Sequence, residues 1–126
     1  MEKTNYNINK SLLNIAVTAE LEYLRKINAS DNLLFLYSNL SAFEALLHII
    51  KSGDDGLPVY KAVGSVFTSF CGQAGIINRL RMLRNLELLD EKPGGKKSQV
   101  CLVPTEKLLQ EIGPILYDRH QGIFHK

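Results

Sequence analysis

The residues best placed to do chemistry in this 126-residue chain lie between Gly72 and Lys97. The spacing in "GQAGIINRLRMLRN" predicts a helix over Gln73–Asn85 with Ile76, Leu80 and Leu83 on one buried stripe. Ala74, Asn78, Arg81 and Asn85 fall opposite, and Gln73, Ile77 and Arg84 lie at one margin. No acid occurs from Gln73 to Asn85. Amides pair bidentately with adenine and guanidinium groups with guanine in the major groove of a duplex, and both also reach phosphates. Just beyond, "KPGGKK" brings Lys92, Lys96 and Lys97 around a glycine-rich turn, from which lysines can reach a phosphate or the minor groove. Arg79 faces the flank of the helix, where DNA contact and pairing with Glu87 or Glu91 are about equally expected.

Other chemistries find no matching constellation. GxSxG, the phosphate-binding loop, HExxH and GxGxxG are all missing, so the expectation is a non-enzyme without cofactor. His48 lies near the end of an apolar helix and is expected to be structural, favoured there by the helix dipole. His120 and His125 have no metal-site spacing, and Asp54–Asp55 belongs to a turn without the later ligands of a calcium loop. Cys71 and Cys101 stand far apart in apolar surroundings, which suits reduced thiols better than a disulfide framework.

The elements that must position these residues follow from periodicity and capping. "NKSLLNIAVTAELEYLRKI" predicts a first helix with Leu13, Val17, Leu21 and Leu24 on one stripe, capped by Asn9 or Ser11 and ended by "INASDN". "NLLFLYSNL" is apolar almost all round and is read as helix. "SAFEALLHIIKSG" carries a Ser41/Glu44 capping box, an inward face of Phe43, Leu46, Leu47 and Ile50, and Gly53 as its stop. "GDDGLP" is a turn, and Pro58 opens a short helix through Val59, Ala62, Val63 and Val66, weakened by Gly64 and broken by Ser69–Gly72. After the Gln73–Asn85 helix, "LELLDEK" and "SQVCLVP" are two strands joined by the Pro-Gly-Gly turn. Thr105 caps a final helix with Leu108, Leu109, Ile112, Ile115 and Leu116 apolar, which Pro114 should kink or interrupt.

The chain length fits one domain over residues 1–126. Hydrophobic residues at 45% and charged residues at 22% are those of an ordinary soluble protein, and no run is long enough to cross a bilayer. The polar start "MEKTNYNINK" is no secretory signal, so the cytoplasm is the expected location. A net charge of +2 is too mild to attract nucleic acid by itself, so charge for that purpose must be concentrated locally.

Helix, break, second helix and basic hairpin together form a winged helix-turn-helix pattern. The segment "GIINRLRMLRNLELLDEKPGGKKSQVCLVPTEKLLQEI" resembles the winged-helix half of MarR-type transcriptional regulators, and the resemblance covers about residues 41–112. Leu83, Leu88 and Leu89, Val100 to Leu102 and Thr105 occupy the places of that family's leucine, "GL(I/V)" step, strand and "LT" end. Two features depart from the family pattern. Its wing usually carries an Asp and an Arg where this chain has "PGGKKSQ", and Glu87 stands where its glycine is common.

The expected fold is therefore mainly α (α+β): a winged helix-turn-helix core at 41–104, an N-terminal dimerisation helix within 1–30, and a C-terminal helix and tail at 105–126. The expected function is a sequence-specific transcriptional regulator, a repressor by occlusion, that binds a pseudo-palindromic site in double-stranded DNA as a homodimer. Gln73, Ala74, Ile77, Asn78, Arg81, Arg84, Asn85, Lys92, Lys96 and Lys97 are its expected DNA contacts. The resemblance also implies a small-molecule effector in a cleft that Tyr23, Tyr37 and Tyr60 could line, although packing is the commoner role for such tyrosines. Two other readings fit the same residues: a winged helix that binds protein, and a plasmid or phage replication or partition factor.

Overall fold

The computed structural model describes residues 7–69, 71–95 and 99–121. Helices dominate: α1 (Lys10–Asn28), α2 (Asp31–Tyr37), α3 (Leu40–Ser52), α4 (Val59–Gly64), α5 (Gln73–Asn85) and α6 (Glu106–Arg119). A small antiparallel sheet of β1 (Leu57–Pro58), β2 (Leu89–Pro93) and β3 (Val100–Pro104), in the order β1-β3-β2, makes this an α+β chain. No single helix among the described residues is long and apolar enough to cross a membrane. Lys96 and Lys97, and His125 in the tail, lie outside the described residues.

The core forms where α3, α5 and α6 turn their apolar stripes onto the sheet. Leu46 and Ile49 of α3, Ile76, Leu80 and Leu83 of α5, and Leu108, Ile112 and Ile115 of α6 meet Leu88, Leu89 and Leu102 there. The α5 stripe is the one its spacing predicts. On α3 the expected inward face is corrected. Ser41, Ala42, Ala45, Leu46 and Ile49 are buried, whereas Phe43, Leu47 and Ile50 are half-buried.

The start of α3 is a second correction. Asn39 is its N-cap, its side-chain oxygen accepting from the Ala42 N–H at 3.0 Å. The helix therefore begins ahead of Ser41, and no Ser41/Glu44 capping box forms. Both side chains are released for longer-range bonds. The other caps follow expectation: Asn9 accepts from Leu12 N–H, and Thr105 from Leu108 N–H.

The sheet holds one strand the sequence conceals. Leu57 pairs with Leu102 and Pro58 with Cys101, inside what reads as a plain turn. Gly56 makes this approach workable: it has φ +78°, and a Cβ there would stand 2.8 Å from Val103 Cγ1 and 3.0 Å from the Leu102 carbonyl oxygen. β2 and β3 pair from Leu89↔Pro104 to Pro93↔Val100, and the Gly94 N–H donates to the Gln99 carbonyl at 2.8 Å, so the expected hairpin is present.

β2 begins at Leu89, later than "LELLDEK" suggests, because α5 ends in a Schellman turn. The Leu88 N–H donates to the Leu83 carbonyl at 2.9 Å and the Glu87 N–H to the Arg84 carbonyl at 3.0 Å, with Glu87 at φ +62°. The turn also joins α6: Thr105 Oγ1 donates to the Glu87 carbonyl and Lys107 Nζ to the Leu86 carbonyl.

Pro114 does not end α6, which runs on to Arg119. Its missing N–H leaves the Gln110 carbonyl without a helical partner, and both residues are exposed, where water can serve that carbonyl. Cys71 and Cys101 are both free thiols, half-buried and buried respectively.

Candidate nucleic-acid interface

α5 is aimed by its neighbours through specific bonds. Its buried stripe fixes the rotation, and the loop ahead of it is tied to α3. The Glu44 carboxylate accepts the Phe67 N–H at 2.7 Å and the Thr68 N–H at 2.9 Å. Those two bonds, the Phe67 one first, hold the Glu44 carboxyl below its ordinary range. Buried Ser41 donates from Oγ to the Thr68 carbonyl at 3.1 Å and accepts from the Cys71 N–H. Asn39 Nδ2 lies 3.4 Å from Cys71 Sγ. Thus three polar side chains at the start of α3 clamp the segment that delivers Gln73. Sequence reasoning assigned Ser41 and Glu44 to capping and left out Asn39. Polar side chains set into an apolar helical run were the available signal.

With α5 so placed, Gln73, Ala74, Ile77, Asn78, Arg81, Arg84 and Asn85 are all exposed. The margin of Gln73, Ile77 and Arg84 faces the hairpin. An open groove of about 800 Å³ runs between Tyr60 and Val63 of α4, Gln73 and Ile77 of α5, and Gln99 and Val100 of the hairpin. A smaller hollow of about 270 Å³ continues it past Arg81, Arg84, Asn85 and Glu91. Gln99 Nε2 donates to the Tyr60 hydroxyl at 3.3 Å across the upper groove.

The basic residues divide into two groups. Arg81 is exposed, and no ion pair to it occurs among the described residues. Arg84 Nε pairs with Glu91 at 3.0 Å, which binds the end of α5 to β2 and offsets part of its charge. The expected pairing of Arg79 is corrected. Arg79 lies on the α2 side, donates to Ser38 Oγ at 2.8 Å and stacks over the Phe35 ring at 5.0 Å, and among the described residues it forms no ion pair with Glu87 or Glu91. Lys92 Nζ donates to the Asp54 carbonyl at 2.8 Å, so it fastens the root of the hairpin to the preceding turn. Glu87, Asp90 and Glu91 are exposed near the end of α5. The face is therefore acid-free at its start and mixed in charge at its end.

The three tyrosines are not gathered in one cleft. Tyr37 stacks on Phe43 with ring centroids 4.5 Å apart, and Tyr23 lies under Lys26 and Arg119. Tyr60 stands apart in the groove beside the hairpin. His48 has Glu44 at 4.0 Å, one turn away on α3.

Along α1, Leu12, Leu13, Ile15, Val17, Leu21 and Leu24 are exposed, and Ile27 is the buried residue of the helix. Its last turns are tied to α6 by Lys26–Asp118 at 3.0 Å and Glu20–Arg119 at 3.6 Å. No protein-family model matches the chain, and comparison with curated proteins gives no match.

Proposed function

We propose that the chain is a winged helix-turn-helix, DNA-binding transcriptional regulator, acting in the cytoplasm as a homodimer on paired half-sites. One observation carries this reading: the amide-and-guanidinium side of α5 lies open, without acids, next to a groove and a hairpin. The element order α3, β1, α4, α5, β2, β3 and the β1-β3-β2 sheet support a reading as helix-turn-helix followed by a wing, in keeping with the MarR-type resemblance. α5 is then the recognition helix, with Gln73, Ala74, Asn78 and Arg81 facing base edges. Lys96 and Lys97 of the wing supply phosphate contacts. Lys92 and Arg84 are reassigned: both hold the hairpin root, and Arg84 keeps a free edge for a phosphate.

The exposed leucines of α1 and its ties to α6 support dimerisation through these two helices. A paired site follows, because one recognition helix gives too little discrimination. Bound dimers would occlude a promoter, and an effector that changes the separation of the two α5 helices would release them. A replication or partition role on plasmid or phage DNA would use the same face.

The acids at the end of α5 and the modest net charge favour a second reading, a winged helix that binds protein. Selection of bound fragments from random duplex DNA with the purified protein separates the two. Enrichment of an inverted repeat is expected; recovery of no enriched sequence contradicts DNA readout and leaves the protein-binding role.

A further inference from the structure

The start of α5 is uncharged. "QAGIIN", Gln73 to Asn78, offers two amides and two exposed apolar side chains, Ala74 and Ile77, and no charged group. Ile77 stays 37% exposed although Ile76 beside it is buried, and it borders the groove with Val100 at 44% and Tyr60 at 63%. An apolar side chain open beside hydrogen-bonding ones suits a partner that is itself both. In the major groove one base pair has that character: adenine offers N7 and the N6 amino group to an amide, and thymine offers its 5-methyl group to an apolar contact.

We infer that the start of α5 reads A·T pairs, with Gln73 and Asn78 bonding adenine and Ala74 and Ile77 packing on thymine methyl groups. This rests on the DNA-binding reading and narrows it to a substrate class. The half-site carries thymines at the positions under Ala74 and Ile77, and the guanine expected for Arg81 lies one helical turn further along α5. Gln99 and Tyr60, bonded to each other at 3.3 Å, line the same groove as Ile77.

The test uses the full chain and the duplex recovered by selection. Each thymidine in turn is replaced by deoxyuridine, which removes the methyl group and leaves base pairing intact, and affinity is read by fluorescence anisotropy at fixed salt. At one or two positions per half-site the change is expected to weaken binding roughly fourfold, the worth of one buried methyl-sized group. Ile77→Ala should lose that sensitivity at its own position while keeping the affinity of the wild-type protein for the deoxyuridine duplex, which also shows that the variant is folded. Tolerance of deoxyuridine everywhere, while scrambled duplexes still bind weakly, would overturn methyl recognition and leave base readout standing. If no sequence is preferred at all, the DNA reading falls and methyl recognition with it.

Discussion

Glu87 holds a left-handed backbone, φ +62°, at the one place where α5 must turn sharply into β2. An L-residue there suffers contact between its Cβ and its own carbonyl, which glycine avoids. Glu87→Gly should therefore raise stability by about 1 kcal/mol in urea melts, the left-handed strain of roughly 1–2 kcal/mol less the greater backbone entropy that glycine loses; a loss of stability would mean that the Glu87 side chain contributes more than its backbone strain costs. Glu44 is the second informative residue. Its carboxyl is held below the ordinary value of 4.5 by the N–H groups of Phe67 and then Thr68. The folded state therefore binds this proton less readily than the unfolded chain. The contribution is full above pH 4.5 and is lost as pH falls through the lower folded value. Glu44→Gln should lower the melting temperature at neutral pH and differ progressively less from wild type as pH drops below that point; a constant difference would remove the carboxylate from the explanation. Sequence alone identified Glu87 as the departure from a glycine pattern but not its backbone. It misassigned Glu44 because a capping box and a tertiary clamp use the same residue types.

At the scale of elements, the helix carrying the candidate site was fully legible. Ile76, Leu80 and Leu83 repeat at the helical period, and that stripe alone fixes which side chains face outward. The hairpin was legible from its Pro-Gly-Gly turn. β1 was not, since two residues cannot display a period, and its existence depends on β3 arriving beside Leu57. Ion pairing was likewise illegible: the helical period puts Arg79 and Arg84 on different sides of α5 but does not say which element packs against each side. The hairpin invites a prediction of its own. Lys96→Ala should weaken binding to specific and random duplexes alike and make the logarithmic salt dependence shallower by about 0.9. Unequal losses on the two duplexes would assign Lys96 a base rather than a phosphate.

At the scale of the molecule, α1 is the element without sufficient cover. Its leucines were expected on an amphipathic stripe, and they are exposed along most of the helix, with apolar residues on more than one side. An assembly through α1 and α6 would bury them. Sedimentation at micromolar concentration should give a mass of two chains, and Leu21→Glu should shift it toward one while leaving the far-UV spectrum unchanged; a monomer for the wild-type protein would remove the paired half-sites. The face that matters most is still the one on α5. Its direct measurement compares Arg81→Ala with wild type on a selected duplex and on a random duplex of equal length. Base readout predicts a loss of about 1–3 kcal/mol on the selected duplex and little on the random one. Equal losses on both, or none on either, would contradict it.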